Sequence, residues 1–145
     1  MNIAKPKTSK RRNRKRRSTG KRQGAAVVEF AVCLPLIVLI MLGSIEAANM
    51  LFLRQALVQA SYEGAKAAVR ADADNATVTL IANQVAAGRR LDGFTVETVP
   101  ADISTAQQGD LIRVRSSAPV DSNSFISGTV IRILNLDAEA VMVKE

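Results

Sequence analysis

The feature that most constrains this chain is an apolar run from Gly24 to Ile45, GAAVVEFAVCLPLIVLIMLGSI, in which Glu29 is the only charged residue. The 21 residues from Ala25 to Ile45 would make a helix of about 31 Å at about 1.5 Å per residue. That length matches a hydrocarbon core of roughly 30 Å. Apolar side chains run all the way round, whereas a helix lying on a soluble core keeps a polar face. A buried core helix is the competing reading, but the rest of the chain is too small and polar to wrap one. The run therefore predicts a transmembrane helix over 25–45. Pro35 lacks a backbone donor, which predicts a local kink. Gly43 allows a neighbouring helix to come close, and Cys33 reads as a small apolar filler.

The charge distribution gives this helix a direction. The chain carries 20 Lys+Arg against 13 Asp+Glu, a net +7 over 145 residues. Eleven of the basic residues fall within 1–22, where there is no acidic residue. Residues 23–145 hold 9 basic and 13 acidic residues, a net −4. Like charges repel, and the basic segment has almost nothing apolar to bury. By itself it could be a nucleic-acid arm, a solvated tail or the cytoplasmic flank of a membrane helix. Its position directly before the apolar run favours the flank, with Lys15, Arg16, Arg17, Lys21 and Arg22 at the membrane surface. The low aromatic content, 3%, argues against a nucleic-acid module built on stacking. A cleaved secretory signal would also join a basic segment to an apolar one. Both segments are long for that, and Ile45-Glu46-Ala47 is a poor cleavage triplet.

Most familiar chemistry is absent from the composition. With no His there is no His-based triad, His general base or His metal ligand. One Cys allows neither an internal disulfide nor a Cys-rich metal site. The acidic residues Asp72, Asp74, Asp92, Asp102, Asp110, Asp121 and Asp137 read as dispersed turn residues without calcium-loop spacing. No catalytic residue, cofactor or metal is expected, and the protein reads as a non-enzyme.

Beyond the apolar run, Leu53, Ala56, Leu57, Ala60, Gly64, Ala67 and Ala68 recur at helical spacing on one smooth face. The helix is expected to continue to about 70 and to pack its Ala/Gly face on another helix, on the protein's own sheet, or on both. Asp74 or Asn75 predicts the N-cap of a second helix over about 75–88, with Gly88 at its end. Leu91-Asp-Gly93 and Gln108-Gly-Asp110 are turn signals. Residues 94–99, 111–118 and 136–144 read as strands, 119–128 as a loop or short amphipathic piece, and 130–134 as ambiguous. The expected fold is α+β: a long N-terminal transmembrane helix continuing outside the membrane, then a short helix and a small antiparallel sheet. The expected divisions are 1–24 (leader), 25–45 (span), 46–71 (helix continuation) and 72–145 (small outer domain).

The string Gly24-Ala-Ala-Val-Val-Glu29-Phe30 resembles a prepilin signal, in which a basic leader ends in Gly and Glu follows at the fifth mature position. With Ala31, Leu34 and Pro35, and with Ala60-Ser-Tyr-Glu-Gly-Ala-Lys66 downstream, the chain resembles TadE-like pseudopilins. The resemblance is strongest at 24–35, fair at 56–70 and weak between 72 and 135. Phe30 stands where the Flp branch favours Tyr. The resemblance implies a bacterial inner-membrane protein with a cytoplasmic N-terminus and an outer C-terminal domain. It also implies cleavage between Gly24 and Ala25 by a prepilin peptidase, and other pilin-like or Tad subunits as partners. Glu29, Phe30 and Pro35 would then serve helix packing and assembly. A different-class alternative is an unprocessed, single-span binding module that keeps its polybasic tail.

Overall fold

A computed structural model describes residues 20–125 and 135–144, with side chains from Gly24 onward. Lys15, Arg16, Arg17 and the segment 130–134 lie outside the described residues, as do the side chains of Lys21 and Arg22. The chain divides into two units, one ending at Leu39 and the other beginning at Ile40.

The apolar run is helical throughout. Helix α1 spans Gly20–Ala68 and carries Pro35 within it, so the helix begins ahead of the Gly24–Ala25 junction. In the unit that ends at Leu39, the described side chains are all exposed. Between Gly24 and Ala68 the helix is long and apolar enough to cross a membrane once.

The second unit is an α+β domain. Its described elements after α1 are α2 (Asn75–Gly88), β1 (Thr95–Val99), a 3-10 turn (Ile103–Thr105), β2 (Leu111–Pro119), a second 3-10 turn (Asp121–Asn123) and β3 (Asn135–Val143). The strands form an antiparallel sheet in the order β1-β2-β3. Alternation along β2 buries Ile112, Val114, Ser116 and Ala118 and exposes Leu111, Arg113 and Arg115, as expected of a sheet with one face on a core.

The core joins this inner face to the smooth stripe of α1 predicted from spacing. Leu53, Ala56, Leu57, Ala60, Gly64, Ala67 and Ala68 are all buried. One cluster gathers Ala65, Ala68, Val78, Ile103, Ile112 and Val114, and another gathers Leu53, Leu57, Ala118, Val120 and Ala138. Small residues on α1 allow close approach. A Cβ on Gly64 would lie 3.2 Å from Val114 Cγ1, tight for a buried β-branched neighbour whose χ1 is restricted.

Helix α2 starts where predicted. Asp74 is the N-cap, and its carboxylate accepts from the Thr77 amide at 2.8 Å. Its C-terminus falls where the sequence places it, with a left-handed turn beyond it that no glycine makes. Gly88 is the last helical residue, and Arg90 takes the left-handed conformation with φ 56°. Leu91 N donates to Ala86 O at 3.0 Å and Arg90 N to Ala87 O at 3.1 Å. This paired closure turns the chain at Arg90, where glycine is the usual occupant. The turn glycines Gly93 and Gly109 do adopt positive φ. Asp137, read as a turn residue, lies instead in β3, with Arg115 Nη2 at 3.1 Å from its Oδ2. It falls within the strand read over 136–144 and pairs opposite Ser117 across the sheet.

Candidate functional site

The residues singled out for processing and assembly lie on the exposed N-terminal part of α1. Gly24 and Ala25 are helical and exposed, and nothing lies within 4 Å of where a Cβ on Gly24 would sit. A glycine at a cut site lets the backbone extend into a narrow peptidase; here the junction is folded into α1. A single glycine costs a helix only about 1 kcal/mol relative to Ala, and propagation from Ala25, Ala26 and Val27 outweighs it. The same penalty lowers the cost of unwinding the helix at Gly24.

Glu29 lies four residues after Ala25, one turn along the same face of the helix and about 6 Å along its axis. Both residues are exposed, so the carboxylate is available to a partner at the helix start. An amine created at Ala25 would sit at the positive end of the helix dipole, where a cation is disfavoured. A carboxylate one turn away offsets that charge and reduces its own cost of lying near lipid. Phe30 is exposed beside it. Pro35 has no N–H to offer the carbonyl of Ala31, so one rung of the helix ladder is missing. Backbone helicity nevertheless continues through it.

Inside the second unit, several polar side chains tie α1 to the domain. Glu46 is buried and accepts from Ser124 Oγ. Asn49 donates to the carbonyl of Asn123. The Asn123 amide in turn donates to the carbonyls of Asp92 and Pro119, both at 2.8 Å, and accepts from Asp92 N at 2.9 Å. Ser61 Oγ donates to Ala138 O at 2.9 Å across the core. Lys144, also buried, donates from Nζ to Ile103 O at 3.2 Å. Sequence reasoning named none of these as anchors. Their signal was a polar residue in phase with an apolar stripe, Glu46 and Ser61 on the Leu53–Ala60 face, which only the tertiary partners explain. Ser116 Oγ is buried with no hydrogen-bond partner among the described residues.

Among the described residues no group of three His, Cys, Asp or Glu side chains could hold a metal ion. A cleft of about 450 Å³ is lined by Asn49, Phe52, Arg89, Arg90 and Phe125, among others. Arg89 within it donates to Gln59 Oε1 at 2.8 Å.

Comparison with known proteins finds a likeness over part of this chain. Residues 24–66 match a family model described as TadE-like protein. The match begins at Gly24 and runs through the apolar stretch into the part of α1 that packs on the sheet. No curated protein and no solved structure matches the chain.

Proposed function

We propose that this protein is a membrane pseudopilin that takes part in assembling a Tad/Flp-type pilus or a related secretion machine. A prepilin peptidase cuts it after Gly24. The observation that carries this reading is the arrangement at the start of the TadE-like segment. A glycine junction stands at the boundary of a basic leader and an apolar helix, with a lone carboxylate one turn beyond it.

The action has three steps. The basic leader, with Lys15, Arg16, Arg17, Lys21 and Arg22, holds the N-terminus on the cytoplasmic side of the inner membrane. Unwinding at Gly24 gives the peptidase access, and hydrolysis of the Gly24–Ala25 bond leaves a free amine on Ala25. Helix α1 then packs beside other pilin-like or Tad subunits, guided by pairing of Glu29 with an N-terminal amine, while the α+β domain faces outward. The role is structural and not enzymatic.

Mass spectrometry of the protein from cells that contain a prepilin peptidase should find Ala25 at the N-terminus. Gly24→Leu adds a branched side chain at the cut and should preserve the full-length chain. Recovery of an intact leader from the unmodified protein would overturn the processing step.

A further inference from the structure

The last residues of the apolar run, Ile40 to Ile45, belong to the same unit as the α+β domain. By sequence the run stops at Glu46, but the structure buries that carboxylate against Ser124. After Glu29 the first exposed charged residue on α1 is therefore Arg54, and the exposed surface between them stays uncharged through Leu51 and Phe52. The loop that covers Glu46 is tied to α1 again one turn on, where Asn49 donates to the carbonyl of Asn123. Next to Ser124 stands Phe125, 72% exposed. Phe125 and Phe52, itself 65% exposed, line one cleft with Asn49, Arg89, Arg90 and Asp92, among others. The core clusters order the domain along α1. Leu53 and Leu57, nearer the apolar run, pack with Ala118 and Val120, whereas Ala65 and Ala68, farther from it, pack with Ile112 and Val114. Strand β2 thus runs back toward the apolar run, and the turn after it, Asp121–Asn123, comes down beside Glu46 and Asn49.

We infer that the loop 121–125 and the Phe52 face of α1 lie in the interfacial layer of the bilayer, with phospholipid in contact with Phe125 and Phe52. The domain is then seated on the membrane surface and does not hang free of it. The inference rests on the membrane anchoring in the reading above, and on neither cleavage nor pilus assembly. Depth selects lipid as the occupant. Glu46 and Asn49 follow Ile45 by about 2 and 6 Å along the helix axis. The polar layer outside the hydrocarbon is roughly 5–7 Å deep on each side. A loop tied to these two residues therefore stands within that layer, which surrounds α1 wherever no protein covers it. Phe52 stands about 10 Å beyond Ile45, but a long side chain on a helix lies over the turn before its own Cα, which carries the ring toward the same layer. The chemistry agrees with the depth. Burial against Ser124 removes the Glu46 charge from a place where it would be costly. Aromatic rings are at home at the boundary of headgroups and acyl chains. Arg89 and Arg90 against Asp92 give the cleft both signs of charge, which suits a zwitterionic headgroup and calls for no anionic lipid.

The chain has no Trp, so a single introduced indole reports on its own position. Phe125→Trp, Phe52→Trp, Leu111→Trp and Leu36→Trp are made singly in the full-length chain, checked by circular dichroism, and placed in phosphatidylcholine vesicles. Emission is compared between plain lipid and lipid brominated on its acyl chains near the ester, where contact with bromine quenches the indole. Residues 125 and 52 should lose a large part of their emission, and 36, inside the apolar run, should lose most. Leu111, exposed at the far end of β2, should lose almost none and controls for the affinity of the indole itself. An unquenched indole at 125 beside a quenched one at 36 would overturn the inference and leave the membrane anchor standing. A blue-shifted but unquenched indole at 125 would mean that protein covers it, and would overturn the inference equally. So would equal quenching at 125 and 111, which marks adsorption without a preferred face. Absence of quenching at 36 would overturn the membrane anchor and the seating together.

Discussion

Asp74 caps α2 through Thr77, and hydrogen bonds from the Thr77 side chain and backbone hold its pKa below the ordinary 3.8. Asp102 is lowered in the same direction by Ser104. A carboxylate with a lowered folded pKa contributes stability above its unfolded pKa and loses it as pH falls through the folded value. The domain should therefore melt at lower temperature as the pH drops below about 4. Asp74→Asn keeps an acceptor for Thr77 but has no charge to lose, so it should flatten part of that acid dependence. Thermal melts followed by circular dichroism across this range check it, and an unchanged acid slope would show that the cap charge is idle. Asp74 was legible in the sequence because capping depends on a residue type next to an apolar periodicity. Arg90 was not. Its left-handed conformation follows from the Leu91–Ala86 and Arg90–Ala87 hydrogen bonds, and no residue-type preference points to arginine there.

At the scale of elements, the packing of α1 on β2 turns on Gly64. Gly64→Ile would press a branched side chain into Val114 and should destabilise the domain by about 1–3 kcal/mol. In the Val114→Ala background the same change should cost less, because the space it needs has been opened. Urea titrations of the four chains measure this coupling, and strict additivity would mean that the two residues do not share the site. The elements themselves were largely legible. Half-buried antiparallel strands alternate, and β2 carries that signal from Leu111 to Ala118. The Ala/Gly stripe announced a close packing surface, and the sheet covers it as one of the expected partners. The 3-10 turn at Ile103–Thr105 was not legible. Ile103 is fully buried and its amide donates to Asn75 Oδ1 at 2.9 Å, so its conformation is dictated from 28 residues away.

At the scale of the whole molecule, the +7 chain is a strongly basic leader joined to a body of net −4, and removal of residues 1–24 would reverse the sign of the protein. The apolar helix that follows was legible in the sequence, because apolar length has a local physical meaning, and so was the TadE-like likeness that begins at Gly24. The helical state of Gly24 was not, since helix propagation depends on neighbours and not on the glycine alone. Glu29 is then the test of whether the cut serves assembly. Once the leader is gone, each copy carries a cation at Ala25 at the unfavourable end of its helix dipole, and Glu29 is the only acidic residue before Glu46. Glu29→Gln preserves size and hydrogen-bonding capacity but removes the charge. Cleavage, which acts before the amine exists, should proceed normally in this variant. Recovery of partner subunits with the processed protein should fall sharply, and Glu29→Asp, which keeps the charge on a shorter stem, should restore part of it. Mass spectrometry reads the first outcome and co-purification the second. Normal cleavage with undiminished recovery would mean that the helices associate without charge pairing, through the apolar and small residues of α1 alone.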